Sequence, residues 1–308
     1  MPALRRTSLA VAVAAFALAP AAAQAQQTPA PTTFPLQTVP VDGATIGYRD
    51  INPTAGGTPL VLISGYGLTA AEWDPTFVQT LAQNRRVIVF DNRGMGNSSG
   101  PVAGLTVSRM ARDTAGLIRA LKLGRADVLG WSMGGYIAQR LAIANPSLVR
   151  RLVLASTDPG SPHATQPTAA VVKVLTSPSA GPTSLLPVLF PADQQAAGTA
   201  WYAEIGQQPN LTAADFATPA ATMTAQERAT ASRWYGRGRG TYGQLRRVKA
   251  QTWVGYGTED QIVPPANAKL LLRRIPHVSG HRYADAGHAF LFQDPAAKAA
   301  AMAAFLDR

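Results

Sequence analysis

An α/β fold built on a mostly parallel sheet is predicted by three observations. Short apolar runs alternate with stretches of helical spacing along most of the chain, the pattern of buried strands joined by right-handed crossover helices. That rhythm stops at residue 159 and resumes near 248, leaving a Pro-, Ala- and Thr-rich interval with helix-like pieces and no strong buried strand. Between these, "LGWSMGG" turns a strand-like run directly into a helix through glycines and one serine.

The elements follow in order. "LQTVPVDGATIGYRDI" holds two extended runs around Asp42-Gly43, a hairpin signal. "PLVLISGYG" is a strand buried on both faces, and "TAAEWDPTFVQTLAQN" has helical spacing disturbed by a proline. "RRVIVFDNRGMGNSSG" is a strand and a glycine-rich loop, and "LTVSRMARDTAGLIRALKL" is a helix. Strand "RADVLGW", helix "MGGYIAQRLAIANP" and strand "LVRRLVLAST" come next. After the interval, the sheet resumes with "AQTWVGYG", helix "PPANAKLLLRRI", strand "SGHRYADAG" and helix "PAAKAAAMAAFLDR". Residues 159–247 therefore read as an insertion over a single core formed by residues 34–158 and 248–308.

The first residues carry Arg5 and Arg6, an apolar stretch and the small-residue site Ala23-Gln24-Ala25, the pattern of a secretory signal peptide over residues 1–25. Residues 26–33, rich in Gln, Thr, Pro and Ala, read as a flexible leader. A periplasmic or secreted location is expected, with no stable membrane anchor, because the stretch falls short of the about 20 apolar residues of a span and no later run matches one. The chain has 308 residues, 46% of them hydrophobic, enough for a large core. It has no cysteine, which excludes disulfides and thiolate zinc sites. The net charge of +11 comes from scattered arginines and not from a dense basic tract, so nucleic acid is not an expected partner.

Gly130-Trp131-Ser132-Met133-Gly134 satisfies G-x-S-x-G at a strand-to-helix junction. Small neighbours let the backbone turn sharply and project the Ser132 hydroxyl above the sheet, while the Met133 N–H faces an oxygen that gains charge when a carbonyl is attacked. The structural alternative is Ser132 as a helix N-cap. A serine nucleophile needs a base and an orienting acid. "GYGTEDQIVPP" puts Asp260 in the loop after one strand, and "YADAGHAFLF" puts His288 in the loop after the next. In a parallel sheet both loops emerge at the rim that carries Ser132.

In that order and context, Ser132, Asp260 and His288 resemble the triad of the α/β-hydrolase superfamily. "DNRGMGNSS" is similar to the loop after the family's fourth strand, and "DAGHAFLFQDP" to its histidine loop. The resemblance implies an α/β-hydrolase fold: a mostly parallel eight-stranded sheet flanked by helices, with a helical cap where residues 159–247 stand. It also implies a second oxyanion donor after the third strand. Here Ser64-Gly65-Tyr66-Gly67 replaces the usual His-Gly-x-Pro, and the Tyr66 N–H fills that role because the donor is backbone.

Other candidates carry blander readings. Glu259 reads as a solvated turn residue, Asp158 as a relocated triad acid in second place, and Asp91 as a loop-organising acceptor. His163 reads as exposed or capping. His277 and His281 lack companions for a metal site. Gly238 to Gly243 spell G-x-G-x-x-G without a preceding strand, which argues against a dinucleotide. Trp201, Tyr202, Phe216, Trp234 and Tyr235 either line an acyl pocket or pack the cap.

The expected function is an exported serine hydrolase for a small-molecule carboxylic ester or related acyl substrate, working through an acyl-serine without metal or organic cofactor. C–C bond hydrolases, lactonases, aminopeptidase-like and cofactor-free haloperoxidase-like enzymes share the same residues, and a non-catalytic ligand-binding protein shares the fold. The pattern specifies no oligomeric state.

Overall fold

The computed structural model describes residues 28–236 and 240–308. The expected signal peptide lies outside the described residues, as does part of the G-x-G-x-x-G match.

Eight strands form one sheet: β1 (Leu36–Val41), β2 (Ala44–Ile51), β3 (Gly57–Ile63), β4 (Arg85–Phe90), β5 (Ala126–Trp131), β6 (Val149–Ala155), β7 (Gln251–Gly257) and β8 (Val278–Tyr283). Their spatial order is β1-β2-β4-β3-β5-β6-β7-β8. β1 and β2 make a tight hairpin whose central residues, Asp42 and Gly43, have φ of 46° and 71°, the left-handed pair of a type I′ turn. β2 also pairs antiparallel with β4, and every later pairing is parallel. The C-terminal ends of β3 to β8 therefore share one rim. Strand order reverses at β3, where β4 lies on one side and β5 on the other, opening a crevice there.

Burial of both faces follows from the strand sequences. Leu60, Val61, Leu62 and Ile63 of β3 are all fully buried, with Val61 and Ile63 on one face and Leu60 and Leu62 on the other. Each such side chain contributes roughly 1.5–3 kcal/mol by leaving water. The first face packs against α2 (Val107–Ala120), α3 (Met133–Ala144) and α8 (Ala266–Arg274), the second against α1 (Pro75–Leu81) and α9 (Pro295–Leu306). The proline expected to disturb the first helix instead begins it. Pro75 opens α1 behind the N-cap Asp74, which accepts the Phe77 N–H at 2.8 Å, and the preceding residues form a separate 3-10 turn. Within the expected leader, Pro31–Thr33 forms another 3-10 turn, and Arg49 Nη1 donates to the Phe34 carbonyl just beyond it at 2.7 Å.

Residues 159–247 contain α4 (Ala169–Leu175), α5 (Pro182–Leu189), α6 (Gln195–Gln207), α7 (Ala220–Glu227) and a π-helical turn, Arg228–Trp234. The chain leaves and returns side by side: the Thr241 N–H donates to the Pro159 carbonyl at 2.7 Å, and a Cβ on Gly240 would sit 2.8 Å from the Gly160 Cα. Polar bonds join this helical segment, the cap, to strand β2 and the loops at the sheet rim. Arg49 Nη2 meets Asp215 Oδ1 at 2.9 Å, the Gly96 N–H donates to the Ala217 carbonyl at 2.8 Å, and Thr222 Oγ1 donates to the Gly94 carbonyl at 2.9 Å. Trp201 Nε1 and Gln208 Nε2 donate to the carbonyls of Glu72 and Ala71. No helix among the described residues is long and apolar enough to cross a membrane.

Candidate active site

β5 ends at Trp131 and α3 begins at Met133, so Ser132 alone makes the turn. Its φ of 58° and ψ of −123° cost on the order of 1–3 kcal/mol for a residue with a Cβ, and tight surroundings hold it there. A Cβ on Gly130 would lie 2.3 Å from the Gly134 carbonyl oxygen, and one on Gly134 only 2.0 Å from the Ile63 carbonyl oxygen. Only glycine permits that approach of helix to strand. The Ser132 N–H extends the sheet ladder to the Ala155 carbonyl at 2.9 Å, and its carbonyl accepts from Gly135 N and Thr157 Oγ1, both at 2.8 Å. Ser132 stands at the N-cap position of α3, but its side chain makes no cap hydrogen bond there. The Met133 N–H is the first donor of the helix, where no intrahelical acceptor exists.

The loop after β3 runs alongside. A Cβ on Gly65 would come within 3.2 Å of Ser132 Cβ, which places the Ser64-to-Gly67 segment next to the serine. Carboxylates pin the far end of this loop. Glu72 Oε2 accepts the Thr69 N–H at 2.7 Å, and Asp91 Oδ1 accepts the Ala70 N–H at 2.7 Å while its Oδ2 accepts the Asn97 N–H at 2.8 Å. Asp91 thus organises two loops. Burial raises Glu72 to about 7 against the bonds from Thr69, with Asp91 adding repulsion. Burial likewise lifts Asp91 to about 6, and lifts the Tyr66 phenol to about 12 with Glu227 nearby.

Asp260 follows β7 and His288 follows β8, and the two side chains meet. His288 Nδ1 lies 3.0 Å and 2.9 Å from the Asp260 carboxylate oxygens, and both residues are 3% exposed. Asp260 Oδ1 also accepts the N–H groups of Ile262 and Val263 at 2.9 and 2.8 Å, which fixes the carboxylate. The Asp260 carboxylate accepts a hydrogen bond from Nδ1–H, which leaves Nε2 as the ring nitrogen with the free lone pair. Trp131 Nε1, one residue before the serine, donates to the His288 carbonyl at 3.1 Å. These contacts gather the segments of Ser132, His288 and Asp260 at one rim. Glu259 is exposed beside Asp260.

Asp158, the alternative acid, is buried elsewhere. Oδ2 accepts from Tyr136 and Tyr235 at 2.9 and 2.6 Å, and Oδ1 from Trp234 Nε1 and the Gly160 N–H at 3.2 and 2.6 Å. Burial pushes the pKa of its carboxyl and of both tyrosine phenols up. Trp234 stacks on Tyr136 with centroids 4.6 Å apart, and Trp201 stacks on Phe292 at 5.4 Å, so both tryptophans pack the seam between cap and sheet. Tyr202 and Phe216 are exposed. His163 lies against Tyr242, and His281, on β8, lies between Trp253 and Tyr283. Sequence reasoning passed over Trp131, Glu72 and Gln226, whose parts depend on tertiary contacts. Trp131 alone had a signal, as the variable residue before the motif serine.

A family model described as alpha/beta hydrolase fold matches residues 58–295. The chain is 30% identical over 245 residues to a non-heme chloroperoxidase of Streptomyces lividans, covering 74% of this chain and 83% of that one. It is 31% identical over 243 residues to the 2-hydroxymuconate semialdehyde hydrolase of Pseudomonas sp. (strain CF600), covering 78% and 83%. A local match to a Mycobacterium tuberculosis protein named as a non-heme bromoperoxidase reaches 43% identity over 102 residues, but spans 33% of this chain and 38% of that relative. Among solved structures, the enol-lactonase from Burkholderia xenovorans LB400 superposes with a TM-score of 0.74 at 23% identity, covering 88% of this chain and 100% of the other, a likeness of fold. Sheet order, the turn at the rim and these matches agree, and the chain belongs to the alpha/beta hydrolase family.

Proposed function

We propose that the protein is an exported serine hydrolase that cleaves a carboxylic ester or related acyl compound. The observation that carries the reading is the buried Asp260–His288 pair at the rim where Ser132 holds its strained turn. In this mechanism His288 Nε2 takes the Ser132 Oγ proton as Oγ bonds to the substrate carbonyl carbon. The N–H groups of Tyr66 and Met133 stabilise the resulting oxyanion. The imidazolium returns the proton to the leaving alkoxide as the C–O bond breaks, and an acyl-serine remains. Water, deprotonated by His288, attacks that ester and releases the acid and the free serine. Asp260 keeps the imidazole in the required tautomer.

Replacing Ser132 by Ala is expected to lower kcat on short aryl esters by about 10⁶-fold with unchanged circular dichroism, and to abolish labelling by a fluorophosphonate probe. Hydrolysis at the wild-type rate by the variant overturns the mechanism. C–C bond hydrolysis by the same residues is the second reading, favoured by the 31% identity to the semialdehyde hydrolase. Export rests on the N-terminal pattern; protein recovered outside the cytoplasm whose first residue lies near residue 26 supports it.

A further inference from the structure

Gln226 lies in α7, fully buried, at the point where the cap closes over the loop after β3. Its Oε1 accepts the Gly67 N–H at 3.0 Å. A backbone N–H can only donate, so this bond fixes the amide: oxygen toward the loop, nitrogen away from it. Nε2 is buried and meets no acceptor among the described residues. A buried amide donor left unpaired is costly, and native structures keep such groups mainly where a ligand or water completes them. Met223, one turn earlier in α7, covers the same loop, since a Cβ on Gly67 would lie 2.8 Å from its Cε. Gly65, in the same loop, lies against Ser132. The amide is therefore fastened one residue beyond Tyr66, on the loop that lies against Ser132.

We propose that Gln226 Nε2 donates a hydrogen bond to an acceptor oxygen of the acyl group other than the scissile carbonyl. The enzyme then selects acyl compounds that carry an ether, oxo, hydroxy or ring oxygen close to the ester over plain fatty-acyl esters. This specificity rests on the serine-hydrolase reading of the same rim.

The test uses aryl esters paired by shape, butanoate with methoxyacetate and pentanoate with 3-methoxypropanoate, in which one methylene is exchanged for oxygen. For each pair the ratio of kcat/KM values, oxygen-bearing over plain, is compared between the wild type, Gln226→Met and Gln226→Glu. The intrinsic reactivity of each acyl group cancels in that comparison. Gln226→Met loses both amide functions. Gln226→Glu, assayed well above the carboxylate range, keeps an acceptor for Gly67 and has no donor. The ratio is expected to fall about tenfold in both variants for at least one pair. Ratios unchanged in Gln226→Met, or preserved in Gln226→Glu, overturn the proposal and leave Gln226 as a strut for the loop. If the wild type hydrolyses none of the four esters, or Ser132→Ala retains the full rate, the hydrolase reading fails and takes this proposal with it. That result is distinct from plain-ester turnover without discrimination.

Discussion

The rim of the sheet and the seam beneath the cap are held together differently. On the rim, Ser132 is part of the strand ladder, two backbone N–H groups fix Asp260, and Trp131 ties down His288. Beneath lies a nest of Trp73, Trp131 and Phe292, with centroid separations of 5.0 to 6.1 Å. The seam relies on separate side-chain bonds, among them Arg49 to Asp215, Thr222 to Gly94, Tyr235 to Asp158 and Gln226 to Gly67. A ladder opens only with its sheet, whereas single bonds loosen one at a time. The rim is the fixed reference, and the seam is where local loosening starts.

The sharpest way to break this contrast is at Asp260. Asp260→Asn is expected to lower kcat about 10⁴-fold through the wrong imidazole tautomer, with circular dichroism unchanged. A loss below tenfold would show that the rim geometry does not serve His288. Next in size are Leu62→Ala and Asp215→Ala. The first opens a cavity in the sheet core and is expected to cost about 2–5 kcal/mol in denaturant unfolding. The second leaves Arg49 buried without its carboxylate, at about 3 kcal/mol, and its effect should concentrate in faster hydrogen exchange of residues 213–222. Equal acceleration across β3 in the Asp215 variant would erase the distinction between rim and seam.

The last effect, spread over pH, comes from Glu72, whose acidity burial moves from 4.5 to about 7. Across that window the folded chain keeps a proton that the unfolded chain has released. This contribution is full below about 4.5 and is lost as pH rises through about 7. The stability of the wild type relative to Glu72→Gln should therefore decline by up to about 3 kcal/mol between those limits, read by urea unfolding at each. A flat difference would mean that the Thr69 bonds outweigh burial.

What the sequence made legible follows the same division. Apolar runs such as Leu60 to Ile63 specify strands because every side chain there must leave water, and parallel order then brings the loops after β5, β7 and β8 together. Gly130 and Gly134 were readable because a close backbone approach admits nothing larger. The seam was not readable in this way. Helical spacing marks "TAQERATASRWY" as helical, but not that α7 passes into a π-helical turn, nor which way one glutamine faces. Asp158 and Asp260 each follow a strand, and only the surrounding tyrosines and tryptophan, contributed partly by the cap, decide that the former is held away from His288.

The pinch between Pro159 and Thr241 has an architectural outcome. Because both ends of the 159–247 excursion meet across one backbone bond, that excursion is a closed detour whose removal or exchange adds no span for β6 and β7 to bridge. A segment of another length closed by the same pinch would leave β6 and β7 in their register.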